Sequence, residues 1–471
     1  MHQMDDSSGG FRDRLYTIDE SGRRLWVFAK NPKGTLTTAR NITGILLLIF
    51  FFSAPFIKIN GQQMLLFDFF NRTFVILGVQ FWPQDFNIFF IGMIALMVFI
   101  ILFTVTYGRI WCGWACPQTV FMEVVFRRIE YWIDGDMHRQ KELDKRPWDA
   151  GKLFRRGLKH GIFYLISFII GNYFLMYIIG SDAWMTMVTE SPADHIAGLA
   201  GMAIFSFVFY FIFAWFREQV CTIVCPYGRL QGVLLDRETI VISYDYERGE
   251  DRGAMRKSEN RAETKKGDCI DCNQCVAVCP TGIDIRNGTQ LECINCACCI
   301  DACDDMMKKV GFKPGLIRYA SEKMIAEKMQ WHFTRRSAAY SVVLAVLLFA
   351  LGYFLLSRNP VEATVLRSPG MLYQEQEGGK VSNLYSVKVV NKTSGDLPVE
   401  IRLLSGPGEV KIIGNAPVIK KQSLGEFVFF ILLDRSKLTG SKTEVEIGIF
   451  SGGEKLDQTR ATFVGPDNRE K

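Results

Sequence analysis

The chain has 471 residues, 49% of them hydrophobic and 13% aromatic, with 55 Lys and Arg against 49 Asp and Glu and a formal net charge of +6. That composition excludes a disordered or collagen-like chain, and so even a charge balance gives no sign of a nucleic-acid binder. A mean hydropathy of +0.11 also excludes a simple soluble domain, because the apolar residues gather in runs such as Ile45 to Phe52 and Phe89 to Phe103 that read as membrane spans.

In chain order, residues 1–39 form a polar segment too long for a signal-peptide n-region, so an uncleaved first helix is expected. Residues 40–216 read as a membrane domain with four helices: Arg40 to Ile59, interrupted by Pro55, then Phe86 to Tyr107, Ile162 to Gly180 and Ile196 to Phe216. Each approaches the roughly 17 to 25 residues that a hydrocarbon core requires. Between the first two, Met64 to Phe81 carries Asp68, Asn71 and Arg72 at its centre. These are costly in lipid, and an outer β-hairpin fits better. After the second span, Phe126-Arg127-Arg128-Ile129-Glu130-Tyr131-Trp132-Ile133 has the amphipathic, aromatic pattern of a helix lying on the membrane surface. Residues 217–337 are polar and rich in Cys, and 338–356 form a fifth span. Residues 360–471 alternate, as in Tyr385-Ser386-Val387-Lys388-Val389 and Thr443-Glu444-Val445-Glu446-Ile447, between Gly, Asn, Asp and Ser turns. That is the rhythm of an all-β sandwich.

Lys and Arg in the loops give the orientation. Arg12, Arg14, Arg23, Arg24, Lys30, Lys33 and Arg40 precede or open the first helix, and Arg109, Arg127, Arg128, Arg139, Lys141, Lys145 and Arg146 follow the second. Ser181 to His195 has no Lys or Arg. The N-terminus and the Cys-rich region are therefore expected in the cytoplasm and the C-terminal domain on the outer side.

All 13 Cys fall between Cys112 and Cys303, on the side expected to be reducing, so metal ligation rather than disulfide formation is the default. Cys269-x2-Cys272-x2-Cys275-x3-Cys279-Pro280 and Cys293-x2-Cys296-x2-Cys299-x3-Cys303 have the spacing of a two-cluster bacterial ferredoxin. With the fourth ligand swapped between runs, Cys269, Cys272, Cys275 and Cys303 hold one [4Fe–4S] cluster, and Cys293, Cys296, Cys299 and Cys279 hold the other. Zinc knuckles are the competing reading, and zinc sites rarely use two such runs. The second run lacks the proline after its last Cys, and Cys298 is an extra thiol that reads as a small filler residue.

A second motif occurs twice: Trp111-Cys112-Gly113-Trp114-Ala115-Cys116-Pro117 after the second span and Val220-Cys221-Thr222-Ile223-Val224-Cys225-Pro226 after the fourth. On a helix, residues four apart share a face, so each pair is expected to grip one metal. Pro117 and Pro226 suit the first turn of a new helix, which leaves Cys116 and Cys225 at a helix N-terminus. If the two elements are neighbours, four thiolates converge, a donor set that suits Cu(I) or an iron–sulfur cluster. The five His, namely His2, His138, His160, His195 and His332, suggest no haem pair, and no Walker loop, Rossmann fingerprint or hydrolase triad is present.

These features in this order, five spans, two Cys-x3-Cys-Pro motifs, a double four-Cys ferredoxin and a C-terminal β-domain, resemble the CcoG family, also called FixG or RdxA. The Cys pairs alone recur in relatives such as NapH and NosR. The resemblance implies a multi-pass protein of the bacterial inner membrane: five transmembrane α-helices, a cytoplasmic two-cluster ferredoxin-like α+β domain and a periplasmic immunoglobulin-like sandwich. It further implies reduction of Cu(II) to Cu(I) for assembly of cbb3-type cytochrome c oxidase, with the eight ferredoxin Cys as cluster ligands and Cys112, Cys116, Cys221 and Cys225 as the catalytic metal site. The partners expected are a cytoplasmic electron donor (ferredoxin, flavodoxin or reductase), copper chaperones or oxidase assembly factors, and membrane lipid, with no nucleic acid. A homodimer is compatible with the sequence. Two readings compete: an electron-transfer module with a third cluster at the four membrane Cys, serving a partner or quinone, and a scaffold acting through its β-domain.

Overall fold

The computed structural model describes residues 21–466 apart from 22, 71–72, 83–84, 256–260, 262–264, 369, 371, 377, 394, 407, 415–416, 422 and 439. His2, Arg12, Arg14, Asn71 and Arg72 therefore lie outside the described residues. Contacts divide the chain into two units, residues 1–351 and 352–471.

In the first unit four helical segments are long and apolar enough to cross a membrane, Thr35–Phe56, Phe86–Tyr107, Ala150–Ile179 and Pro192–Phe216, and a fifth, Arg335–Leu356, runs across the division. The first α-helix stops at Ser53, and Pro55 sits in the single 3₁₀ turn that follows, as expected of a residue with no N–H to continue the ladder. The third begins at Ala150, earlier than its apolar run predicts. Asp149 caps it by accepting from Lys152 N at 2.7 Å, and Lys152 Nζ donates to the carbonyls of Asp144 (2.9 Å) and Arg146 (2.6 Å). A good cap and a satisfied ammonium extend the helix through charged residues. Met64 to Phe81 forms the expected hairpin, Leu65–Asp68 against Thr73–Ile76 in register Asp68↔Thr73, with a third strand, Val79–Phe81, added to it.

The helix expected after the second span forms, and its charged face is buried. Arg127–Ile133 is helical, but Arg127 (2% exposed) and Glu130 (3%) point inward while Trp132 (77%) points out. The charged face is turned toward buried partners of opposite sign, which an amphipathic pattern alone does not distinguish from a face turned to water.

The Cys-rich region is a small α+β assembly in which Val241–Tyr244 pairs antiparallel with Ile317–Ala320. Against this ribbon pack the short helix Gln274–Ala277 and the helix Cys298–Val310, around Ile242, Ile283, Ile285, Ile300, Met307 and Leu316. It is joined to the first span through Asp301, whose carboxylate accepts from Leu36 N (3.2 Å) and Thr37 N (2.7 Å) and so caps that helix from a distant part of the chain. Gly34 leaves the room, since a Cβ there would fall 2.2 Å from Asp301 Cγ.

The second unit is an immunoglobulin-like sandwich. One sheet has the order Glu409–Ile412, Ser423–Asp434, Lys380–Asn391, Val361–Arg367; the other has Glu400–Leu403, Lys442–Ser451, Glu454–Val464. Tyr385, Phe429, Ile431, Ile447 and Phe463 fill the core. Tyr385 OH donates to Thr462 O at 2.9 Å, and Asn383 bonds both O (2.7 Å) and N (3.2 Å) of Val464, which ties the sheets together.

Candidate metal centre

The duplicated Cys motif is a repeat of backbone as well as of sequence. The second span ends at Gly108 (φ 56°, ψ −128°) and the fourth at Arg217 (φ 52°, ψ −122°), each four positions before a Cys. Ile110–Trp114 then carries Cys112, and Val220–Val224, wound as a π-helix, carries Cys221. Cys116 and Cys225 follow with extended backbone, and new helices start at Pro117 and Pro226. The expectation that each pair shares one continuous helical face is therefore corrected: proline disfavours the helical region for the residue before it, so the second Cys of each pair leaves the helix. The expected placement of both prolines and of both second Cys at helix N-termini holds.

The two copies meet. Cys112 Sγ lies 3.6 Å from the side-chain amide of Gln231, a fully buried residue on the helix Pro226–Leu234. Thr104 and Tyr227 share a 2.8 Å hydrogen bond, and Arg109 donates to the carbonyls of Gly228 and Leu291. Burial pushes the Cys221 thiol up to about 12, and the nearness of Cys116, Cys112 and Cys225 adds to the rise. Cys112 is pushed up to about 11 by burial, with Cys116 and Cys225 contributing. The thiols of Cys116, Cys221 and Cys225 thus each lie within electrostatic reach of Cys112.

The ferredoxin runs also repeat. In each, the residues before and after the second Cys are left-handed: Asp271 and Asn273 around Cys272, Asn295 and Ala297 around Cys296. Alternation of this kind turns successive N–H groups toward one side, an arrangement suited to anions. Asp and Asn tolerate that region; Ala297, fully buried, has no such advantage.

Among the described residues no three His, Cys, Asp or Glu already stand close enough to be a preformed metal site. The thiols instead line a space. A cavity of about 330 Å³, counted with its open side, is lined by five thiols, Cys275, Cys279, Cys293, Cys296 and Cys299. Cys303 has the other neighbours: burial pushes it up to about 12, followed by Cys275, Cys269 and Cys272. The residues present suit an iron–sulfur cluster: buried, soft donors around an apolar space whose other walls include Ile242, Ile283 and Ile285.

The Cys112 motif and the second run are packed together. Gly113 lies against the second run so closely that a Cβ would fall 2.4 Å from Ile294 O and 2.9 Å from Cys296 N and Cα. Cys112 packs on Ile294, Cys296 and Cys298. Trp114 Nε1 donates to Tyr319 OH (3.1 Å), which donates to Asn295 O (2.9 Å). Cys298, 1% exposed, fills this contact and reaches Cys296 O at 3.9 Å.

Beside this lies a buried charge network. Arg217 makes a two-pronged bond to Glu130 (3.0 and 2.9 Å), and Lys159 reaches Asp134 (2.6 Å) and Glu130 (3.6 Å). Arg127 pairs with Glu123 (3.3 Å) and Arg24 with Glu218 (3.0 Å). Burial alone pushes Glu130 up, but the Arg217, Lys159 and Arg127 charges together outweigh it and hold the carboxyl below its ordinary value. A second cavity of about 300 Å³, lined by Cys221, Arg127, Arg217, Glu218, Pro280 and Ile294 among others, separates this network from the cluster region. The sequence reading did not single out Gln231, Gly113, Arg217 or Glu130 for the site. For Arg217 a signal existed, namely its place four residues before Cys221, as Gly108 stands four before Cys112.

Models of known families match three stretches: a 4Fe-4S dicluster domain over residues 216–322, a 4Fe-4S binding domain over 89–140, and the immunoglobulin-like fold at the C-terminus of FixG over 351–466. With five apolar helices and this concentration of buried thiols, the chain is a membrane-associated iron–sulfur electron-transport protein. Nitrogen fixation protein FixG of Rhizobium meliloti is 32% identical over 434 residues, 84% of this chain and 82% of the relative. Protein RdxA of Cereibacter sphaeroides is 36% identical over 346 residues, 71% and 72%. The ferredoxin-type protein NapH of Haemophilus influenzae is 23% identical over 237 residues, 46% and 67%. The chain belongs to the FixG/RdxA family.

Proposed function

We propose that this protein is a cupric reductase of the bacterial inner membrane, supplying Cu(I) for assembly of cbb3-type cytochrome c oxidase. The observation that carries this reading is the packing of the Cys112 motif on the loop that bears Cys296, with Gln231 of the helix after Cys225 at 3.6 Å from Cys112 Sγ. Cys269, Cys272, Cys275 and Cys303 would hold one [4Fe–4S] cluster, and Cys279, Cys293, Cys296 and Cys299 the other. When bound, these clusters supply one-electron storage. The span-end thiolates bind the substrate ion, and their softness favours Cu(I) over Cu(II), which makes reduction easier. Each Cu(II) accepts one electron and leaves as Cu(I), with no substrate bond broken and no proton consumed. A cytoplasmic ferredoxin, flavodoxin or reductase provides the electrons. The Lys and Arg distribution supports a cytoplasmic N-terminus and cluster region and a periplasmic sandwich, which would dock copper chaperones or assembly factors.

One finding favours a second reading. The 4Fe-4S binding model over residues 89–140 covers a stretch whose only Cys are Cys112 and Cys116. Four-thiolate ligation there would require Cys221 and Cys225, giving a third cluster and an electron-transfer module without copper. Iron analysis separates the two: two clusters give about eight iron per chain and three give about twelve. The copper reading expects about eight, with the four span-end thiols open to a thiol reagent in copper-free protein; about twelve iron, with those thiols blocked, establishes the module.

A further inference from the structure

Arg40 is 4% exposed, on the first span one turn beyond the backbone N–H groups that Asp301 caps. Its Nε and Nη1 have no hydrogen-bond partner, and Nη2 reaches Glu123 Oε2 only at 3.8 Å. A guanidinium stripped of water with N–H groups unmade is costly unless an anion answers it. Asp301 belongs to the helix that begins at Cys298, so its cap brings the first span, and Arg40 with it, up to the second Cys run. Glu123, the carboxylate that Arg40 reaches, lines a cavity together with Pro280 and Ile294, the residues next to Cys279 and Cys293. The first run has a cation of its own, Arg286, whose Nη2 donates to Asn273 Oδ1 at 2.5 Å between Cys272 and Cys275. That charge is already matched by Asp284 at 2.6 Å and Asp271 at 2.5 Å.

A cluster held by four thiolates becomes more negative on reduction, so an under-compensated buried cation nearby favours the reduced form. We propose that Arg40 is a positioning residue for the electron, raising the reduction potential of the cluster held by Cys279, Cys293, Cys296 and Cys299 above that of its neighbour. Electrons then collect at the cluster whose loop abuts Gly113 and Cys112, next to the span-end thiols, and the first-run cluster is the entry point. The proposal rests on the cluster-ligand assignment given above but does not depend on whether copper or a third cluster occupies the span-end site.

The test is a redox titration of the full-length protein in detergent, followed by EPR, for the parent and for Arg40→Gln, Arg40→Lys and Glu123→Gln; a Cys299→Ser variant marks the step of the second-run cluster. Arg40→Gln is expected to lower that step, shifting electron sharing about tenfold toward the other cluster, which is 59 mV for a one-electron couple. Arg40→Lys restores most of the shift. Glu123→Gln, which removes the opposing charge, moves the same step upward, and it decides the matter if Arg40→Gln fails to load iron. Potentials unchanged in these variants, equal shifts of both steps, or a downward shift in Glu123→Gln would overturn the proposal. Parent protein with no two-cluster signal would instead remove the ligand assignment beneath it.

Discussion

Gly113→Ala is expected to slow oxidation of the reduced protein by Cu(II) by one to two orders of magnitude while leaving the iron content close to that of the parent. The methyl group would meet Ile294 O at 2.4 Å and the Cys296 backbone at 2.9 Å. All three atoms are main chain, so no side chain can swing aside, and the Cys112 motif must move away from the cluster loop. A misplacement of ~1 Å at a reacting centre costs up to about 10²-fold in rate. Stopped-flow bleaching of dithionite-reduced protein measures this directly. A parental rate in the variant would mean that electrons do not cross at the Gly113–Cys296 contact.

Arg217→Ala is expected to destabilise the first unit by about 3–5 kcal/mol, the usual effect of removing one member of a buried ion pair. Glu130 would keep its charge inside the protein with Lys159 at 3.6 Å as its nearest remaining cation. Arg217 itself occupies a positive-φ conformation that an L side chain rarely adopts, at a cost of order 1–3 kcal/mol. Arg217→Gly relieves that strain and should be less damaging than Arg217→Ala, yet still below the parent. Arg217→Ala combined with Glu130→Gln should recover part of the loss, because no uncompensated charge remains. The pH dependence follows from the lowered pKa of Glu130. Its stabilisation is complete above the ordinary carboxylate value of about 4.3 and is lost as pH falls through the lower folded value. The acid limb should therefore be weaker in Glu130→Gln. Thermal unfolding in detergent across pH tests these points, and equal stability of Arg217→Ala and the parent would show that the pair contributes nothing.

Much of the fold was legible because its signals are long or periodic. Uninterrupted apolar runs mark the spans, and period-two alternation marks the sandwich. The ferredoxin spacing pointed to two groups of thiols, and one cavity is lined by Cys279, Cys293, Cys296 and Cys299 together with Cys275 of the first run. Where the reading failed, the deciding partner lay far along the chain. Arg127 and Glu130 look like the polar face of a surface helix until Glu123, Glu218, Arg217 and Lys159 are placed beside them. The start of the third span at Ala150 depends on a cap that hydropathy does not register. Cys112 and Cys116 have helical spacing, but Pro117 governs the residue before it and turns Cys116 out of the helix. Gly113 reads as one more small residue until the second run is packed on it.

The central claim is that electrons pass from the ferredoxin clusters to Cu(II) at the four span-end thiols. The most direct test is anaerobic: reduce the purified protein with dithionite, remove the excess, add Cu(II), and follow cluster bleaching together with Cu(I) trapped by a chelator, in the parent and in a variant with Cys112, Cys116, Cys221 and Cys225 all changed to Ser. The account predicts one Cu(I) formed per electron lost from the clusters in the parent, and loss of that reaction in the variant with its ferredoxin iron retained. Equal Cu(I) formation by the variant, or clusters that stay reduced in the presence of Cu(II), would contradict it.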